Sequence, residues 1–369
     1  MKKFTVIFVI FLTMPVFCLR AFASDDFYYN VAEEFGTEQL DEGLSEKEKK
    51  LTGRFDVKGS YDAGGALSRI WRSFVDDVFD SLKANLNFFT TLLGLALLSS
   101  LCASFCSGCN TSGFVELIAC ASTALIIVDS VDGIISQTVE AMYRLSDYSK
   151  AALPVVFTAA AAGGALSSAA AKFAAISFAL DILMSISQRL IIPSVYAYLA
   201  LTVSNSLFSN PLLTSVQRLF KWISGILMTG MTLSFTTYIS MVGAIGAAVD
   251  ASTVKTARTV ISGVLPVVGG MISDASAMLM SAAAVVRNCS GVFGLIAVTA
   301  MCAGPFAILS VKMLLLKAAA AIAEALQSGK LSSLLSGLST AVGLLMGLLG
   351  SNGIMLFISL TAGMKAVIP

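Results

Sequence analysis

Three cysteines, Cys102, Cys106 and Cys109, stand in the CxxxCxxC spacing that can hold an iron–sulfur cluster. Enzymes that use this spacing keep the cluster inside a large soluble barrel. Here the triplet closes an apolar run, where a free cysteine serves as a small hydrophobe. The chain has no histidine, which removes the commonest general base and metal ligand. It also carries no nucleophile–base pair, phosphate-binding loop or dinucleotide fingerprint. The expectation is a protein that is not an enzyme and holds no cofactor or metal.

Ionisable residues inside apolar runs deserve more weight, because each is costly in hydrocarbon. Glu116, Asp129 and Asp132 lie in one such run, Asp181 and Arg189 in another, and Asp274 in a third. Asp129 and Asp132 are three residues apart and share a helical face. Such residues either line a polar path or form static pairs between helices and near span ends.

The most unusual stretch is Val254–Ser276. Lys255 and Arg258 place two cations on one face at its start, Pro266 and Gly269-Gly270 interrupt the apolar run, and Asp274 follows. Proline frees a backbone carbonyl and glycine lowers helix propensity. In a membrane such breaks persist where protein or a water-filled cavity satisfies the backbone. The stretch is expected to be a broken helix and the functional centre.

The elements that must position these residues are membrane spans. Between Lys83 and Glu116 no formal charge occurs for 32 residues, and charge-free runs recur at Leu190–Gln217, Trp222–Val249, Asn288–Val311 and Leu331–Met364. A span needs roughly 20 apolar residues. Hydrophobic residues make up 56% of the chain and charged ones 13%, about half the usual charged share of a soluble domain. The pattern predicts an all-α polytopic membrane protein of about eight spans. The nine candidate segments are Phe88–Cys106, Phe114–Ile135, Ala151–Ala171, Phe173–Ile191, Pro193–Leu213, Trp222–Ala247, Val260–Val286, Gly291–Val311 and Leu334–Leu360, with six to ten spans in range and eight the central value. The turn signal Ser351-Asn352-Gly353 makes the last a candidate hairpin.

Ahead of the membrane domain, 87–369, three segments are expected. Residues 1–23 read as a cleavable signal: Lys2 and Lys3, an apolar core, then Ala21-Phe22-Ala23. Residues 24–66 hold 11 acidic and five basic residues, and form a polar extracytoplasmic arm too short to bury a core of its own. Residues 67–86 form an amphipathic helix for the membrane surface or a partner, with Leu67, Ile70, Trp71, Phe74, Val78 and Leu82 on one stripe. An exported amino terminus puts Arg218 and Lys221 inside, as the positive-inside rule prefers, and Lys255 and Arg258 outside, against it.

Small residues mark close helix approach. Gly164 lies in an alanine- and glycine-rich run and is read as packing within the chain. Gly343-x-x-x-Gly347 is a GxxxG, read as packing or self-association. Lys312–Leu331 is read as a second amphipathic helix, with Leu314, Leu315, Ala318, Ile322, Ala325 and Leu326 on its apolar side.

Thr256-Ala257-Arg258, Pro266-Val-Val-Gly269, Ser273-Asp274-Ala275 and Gly291-Val-Phe-Gly-Leu295, preceded by Thr237-Tyr238-Ile239 and Gly243-Ala244-Ile245, resemble the stage III sporulation protein AE family of endospore formers. The resemblance runs from about Leu67 to the end. It implies a subunit of a channel-like or secretion-like complex in the mother-cell membrane around the forespore. The implied partners are the other stage III A-operon membrane proteins with their ATPase, indirectly the forespore stage II Q protein, and membrane lipid, but not nucleic acid. The rival reading from the residues themselves is an autonomous secondary transporter using the broken helix.

Overall fold

The computed structural model describes residues 37–53, 61–105, 112–264 and 268–364, with side chains except at 103–104, 112–113, 115, 128–130, 164–168 and 243–279. Among these residues there is no strand. Two short helices, α1 (Glu38–Glu42) and α2 (Glu46–Thr52), precede α3 (Ala63–Phe105), α4 (Ser112–Ala160), α5 (Leu166–Ile186), α6 (Ile192–Phe208), α7 (Pro211–Val264), α8 (Val268–Ala325) and α9 (Gly329–Met364). Single π turns, Ala161–Ala165 and Ser187–Ile191, join α4 to α5 and α5 to α6.

Among the described residues six stretches are long and apolar enough to cross a membrane: Ala63–Cys102, Glu116–Gly163, Ala169–Phe208, Pro211–Val242, Met280–Ala325 and Gly329–Met364. The protein is an all-α polytopic membrane protein. Some of the expected spans join into longer helices where a polar interruption does not break the structure. Leu67–Leu86 and the expected span Phe88–Cys106 are one 43-residue helix, α3. At ~1.5 Å per residue α3 is about 65 Å long, well beyond the ~30 Å hydrocarbon core. Phe173–Ile191 and the first part of Pro193–Leu213, to Phe208, fall within one stretch that contains the π turn Ser187–Ile191, while residues 211–213 already belong to α7.

The candidate hairpin at Ser351-Asn352-Gly353 is not formed; α9 continues to Met364. Asn352 is buried, its Nδ2 donates to the Leu348 carbonyl at 3.0 Å, and its Oδ1 lies 3.3 Å from the Ser187 hydroxyl, which donates to it. A partner on another helix thus satisfies the side chain that would have favoured a turn.

α9 is apolar or small nearly all round, and such a helix belongs in the core. It packs chiefly on α8, then on α4, α7 and α6. The α8–α9 turn is a Schellman motif: Ser328 N–H donates to Ala323 O and Gln327 N–H to Glu324 O, both at 3.0 Å, with Gln327 left-handed at φ 60°. α8 faces its neighbours through Leu316, Ala319, Ala320 and Ala323, while Leu314, Ala318 and Ile322 point outward. Lys312–Ala325 is thus the end of α8 rather than a helix of its own, and Leu314, Ala318 and Ile322 of the expected apolar side face out of the chain. Alanine on the inner face lets the two backbones approach closely.

α1 and α2 give residues 37–53 of the expected arm a defined structure that packs on the long helices rather than on a core of its own. Leu40 and Leu44 are buried against the long helices. α2 opens with a capping box: Glu48 N–H donates to Ser45 Oγ at 3.5 Å and Ser45 N–H to Glu48 Oε2 at 2.8 Å. The same Glu48 carboxylate accepts from Arg144 of α4, and Lys47 pairs with Asp77 of α3 at 2.7 Å. Residues 24–36 and 54–60 of the arm, and the signal region 1–23, lie outside the described residues.

Candidate functional site

Glu116 projects from the first turns of α4, and its Oε1 accepts the backbone N–H of Lys330 at 2.8 Å. Lys330 is the second residue of α9, so the carboxylate satisfies one of the four donors a helix start leaves open and faces the positive end of the helix dipole. This residue, read as an intramembrane polar group, therefore has a static partner at a helix end.

Asp132 lies about 24 Å further along α4, sixteen residues at ~1.5 Å each. It is exposed, and its Oδ1 accepts the Tyr196 hydroxyl of α6 at 3.2 Å. The side chain of Asp129 lies outside the described ones. Asp181 on α5 and Arg189 in the following π turn are exposed. They share a shallow groove of about 400 Å³ with Phe178, Ile182, Ser185, Ile186 and Leu190. Eight residues separate them, about 12 Å of helix, and no ion pair between them is formed. The expected polar residues are thus dispersed over separate faces, not gathered along one described path.

Two cations passed over in the sequence are buried, Lys172 on α5 and Arg287 on α8. Each interrupts a run of alanine, valine or phenylalanine, and that isolation was the available signal. Phe173, next to Lys172, packs against Phe157 with ring centroids 5.9 Å apart. Phe157 lies 3.3 Å from where a Cβ on Gly363 would stand.

The Val254–Ser276 stretch straddles the junction of α7 and α8. α7 ends at Val264 and α8 begins at Val268. Pro266 lies outside the described residues, as do the side chains of Lys255, Arg258 and Asp274 and the surroundings of Gly269 and Gly270. The surroundings of Gly164 lie outside them too. Of the cysteine triplet only Cys102 is described; it is exposed. Among the described residues no group of three or more metal-ligating side chains converges.

The small-residue motif on α9 is engaged within the chain. A Cβ on Gly343 would lie 3.5 Å from the sulfur of Met313 on α8, and the Ser339 hydroxyl donates to the Met313 carbonyl at 3.1 Å. Gly343 is buried and Gly347 half-buried. Gly343 therefore serves the α8–α9 contact, which leaves the self-association reading without a free Gly343 face.

The α6–α7 turn, the α8–α9 turn and the start of α4 gather at one end. Glu116 ties the start of α4 to the start of α9. Gln217 Nε2 of α7 donates to Thr202 Oγ1 of α6 at 2.8 Å, and Thr202 in turn abuts Gly337 of α9. At the opposite end Gly291 meets Met364, Gly363 meets Val156, and the α1–α2 cap sits on α3 and α4.

The family model described as stage III sporulation protein AE matches residues 52–366. The chain is similar to the stage III sporulation protein AE of Bacillus subtilis (strain 168), 26% identical over 242 residues, which is 64% of this chain and 59% of that protein. No solved structure matches the chain.

Proposed function

Because the chain belongs to the stage III sporulation protein AE family and has a sporulation role, we propose that it is a membrane subunit of a channel-like or secretion-like complex joining mother cell and forespore. The observation that carries this reading is the pairing of a family match over nearly the whole membrane domain with six membrane-length helices. The proposed location is the mother-cell membrane around the forespore. The proposed partners are the other stage III A-operon membrane proteins, their ATPase and, indirectly, the forespore stage II Q protein. The subunit carries no catalytic activity of its own; energy comes from the ATPase.

The separate engagements of Glu116 by the start of α9 and of Asp132 by Tyr196, with Asp181 and Arg189 in an outer groove of their own, support a subunit over an autonomous transporter. A transporter gathers its polar groups at one site near the bilayer midplane. A subunit can place them where neighbouring proteins complete the surroundings.

The test is affinity purification of the tagged chain from sporulating cells in mild detergent. Recovery of the operon's other membrane proteins supports the complex. Recovery of the chain alone, together with solute uptake by liposomes containing only this chain, favours the transporter.

A further inference from the structure

The corner between α6 and α7 is firmly built and presents an outward face that no described residue of the chain covers. Ser209 closes α6 in the left-handed region at φ 47°, with its N–H on Asn205 O at 2.8 Å. Asn210 caps α7 by accepting Leu212 N–H on Oδ1 at 2.9 Å, and Pro211 occupies the first helical position. Thr214 Oγ1 donates to Asn205 Oδ1 at 3.0 Å and Gln217 to Thr202, so two side-chain bonds bind the first turns of α7 to α6.

Beyond this anchor the outer face of α7 divides lengthwise. Leu212, Leu219 and Ile226 repeat at seven residues on one side, and Leu212 is 74% exposed. Arg218 and Lys221, three residues apart, form the other side. Trp222 lies between them and is 61% exposed. Neither cation is in an ion pair among the described residues. An indole flanked by leucines on one side and cations on the other suits the boundary between headgroups and acyl chains.

The charge of this end agrees. Lys312, Lys317 and Lys330 flank the α8–α9 turn against Glu324, and Glu116 is engaged by the start of α9. The cap at the opposite end is acidic, with five carboxylates to three lysines over Glu38–Thr52. The export of the amino terminus expected from the sequence puts the cap outside and, since α3 runs away from it, puts this end toward the cytoplasm, where Arg218 and Lys221 agree with the positive-inside rule. The same path leaves Lys255 and Arg258, late in α7, on the cap side.

We propose that Arg218, Lys221 and Trp222 form a docking site for anionic phospholipid headgroups that holds this end of the molecule at the cytoplasmic leaflet. The cations meet the lipid phosphate and the anionic headgroup, the indole sits at the ester level with Leu219 beside it, Ile226 lies one turn deeper among the acyl chains, and Leu212 stays at the aqueous edge. An acidic protein surface would complement the cations but would leave Leu219, Ile226 and the indole exposed to water. Lipid covers both halves of the face. This site is independent of the complex proposed above, since it is read in purified protein with no partner present.

The chain has two tryptophans, so a Trp71→Phe substitution leaves Trp222 as the sole reporter. The full-length protein is placed in phosphatidylcholine bilayers containing a minor fraction of either phosphatidylglycerol or phosphatidylcholine brominated near the top of its acyl chains. Quenching of Trp222 by the brominated phosphatidylglycerol should report local enrichment on the order of ten-fold, the factor expected of two cations near a headgroup. Adding R218Q and K221Q should make the two lipids quench equally. Equal quenching without these substitutions overturns the proposal and points instead to an acidic protein partner. So does a preference that survives them. If Trp71→Phe lowers the yield, lipids retained by the unsubstituted protein are counted instead, and no excess of phosphatidylglycerol over R218Q/K221Q overturns the proposal equally. For the orientation, a Leu212→Cys protein should react with impermeant maleimide only after protoplasts are lysed; additional labelling over the unsubstituted chain in intact protoplasts overturns it.

Discussion

Glu116 Oε1 and the Lys330 backbone N–H, 214 positions apart in the chain, meet at 2.8 Å. The bond ties the first turns of α4 to the start of the most buried helix, α9. A carboxylate is favoured there by the open donors and by the dipole together. A charge inside an apolar run is explained by a helix end it neutralises, with no solute required.

Replacing Glu116 tests this directly. E116A should lower unfolding stability in detergent by about 1 kcal/mol, the usual size of a lost cap. E116Q keeps an acceptor but loses the charge, so it should fall between the two. A midpoint unchanged in E116A means the bond contributes nothing, and the polar-path reading of Glu116 returns.

The α1–α2 cap rests on Glu48, whose carboxylate serves its own helix start and Arg144 at once. Glu48 is nearly enclosed, while Arg144 is 39% exposed. R144Q would strand a buried charge, at a cost of about 1–3 kcal/mol once solvent screening of the arginine is allowed for. The cap should then be cut faster by protease near Lys47–Lys50. E48Q/R144Q should recover part of the loss. Unchanged cleavage in R144Q shows that Leu40 and Leu44 hold the cap unaided.

Glycines on α9 separate packing from self-association. A Cβ on Gly343 would meet Met313 Sδ at 3.5 Å, an ordinary contact, so G343A should change stability by less than about 0.5 kcal/mol. A Cβ on Gly337 would collide with the Thr202 side chain, so G337A should destabilise by about 1–3 kcal/mol through overpacking. A G343A protein that loses oligomers while keeping its fold restores the GxxxG dimer.

Charge-free runs made the membrane class legible in the sequence, because no soluble fold leaves 32 residues uncharged between Lys83 and Glu116. Span limits were less legible. Asn87, Thr90 and Thr91 look like an interfacial boundary, yet in a helix each bonds locally, as Thr91 Oγ1 does to Asn87 O at 2.8 Å, and α3 runs through them. The cap was half legible: Ser45-x-x-Glu48 is a capping box, but nothing local in the sequence links Glu48 to Arg144, 96 residues away. The site residues were visible as costly types in apolar surroundings. Their partners were not, since a backbone N–H such as that of Lys330 leaves no mark in composition.

The Val254–Ser276 stretch is the proposed functional centre. G269L/G270L should abolish sporulation while abundance in the membrane stays normal, because bulk blocks close backbone approach. Charge reversal at Lys255 and Arg258 should weaken partner recovery more than membrane insertion. Normal sporulation in both double mutants makes this an ordinary anchor.

Asn352 gives the sharpest contrast between the sequence pattern and the fold. In a hairpin its amide would cap a turn in water, and leucine would remove a useful group. In α9 the amide is buried, one end on Leu348 O and the other facing the Ser187 hydroxyl at the π turn. Ser187 keeps a second acceptor, Leu183 O at 3.0 Å, so its single proton is shared. Removing one partner therefore leaves no fully orphaned donor. Hydrogen bonds between helices in membranes average about 0.6 kcal/mol. N352L should lower stability by about 0.5–1.5 kcal/mol, the upper part arising from misfit of the branched side chain. S187A should lower it less, and the two effects should couple by about 0.5 kcal/mol in a double-mutant cycle measured by unfolding in mixed micelles. Purely additive effects would show that Asn352 and Ser187 do not interact, and that α9 is held straight at this point by packing alone.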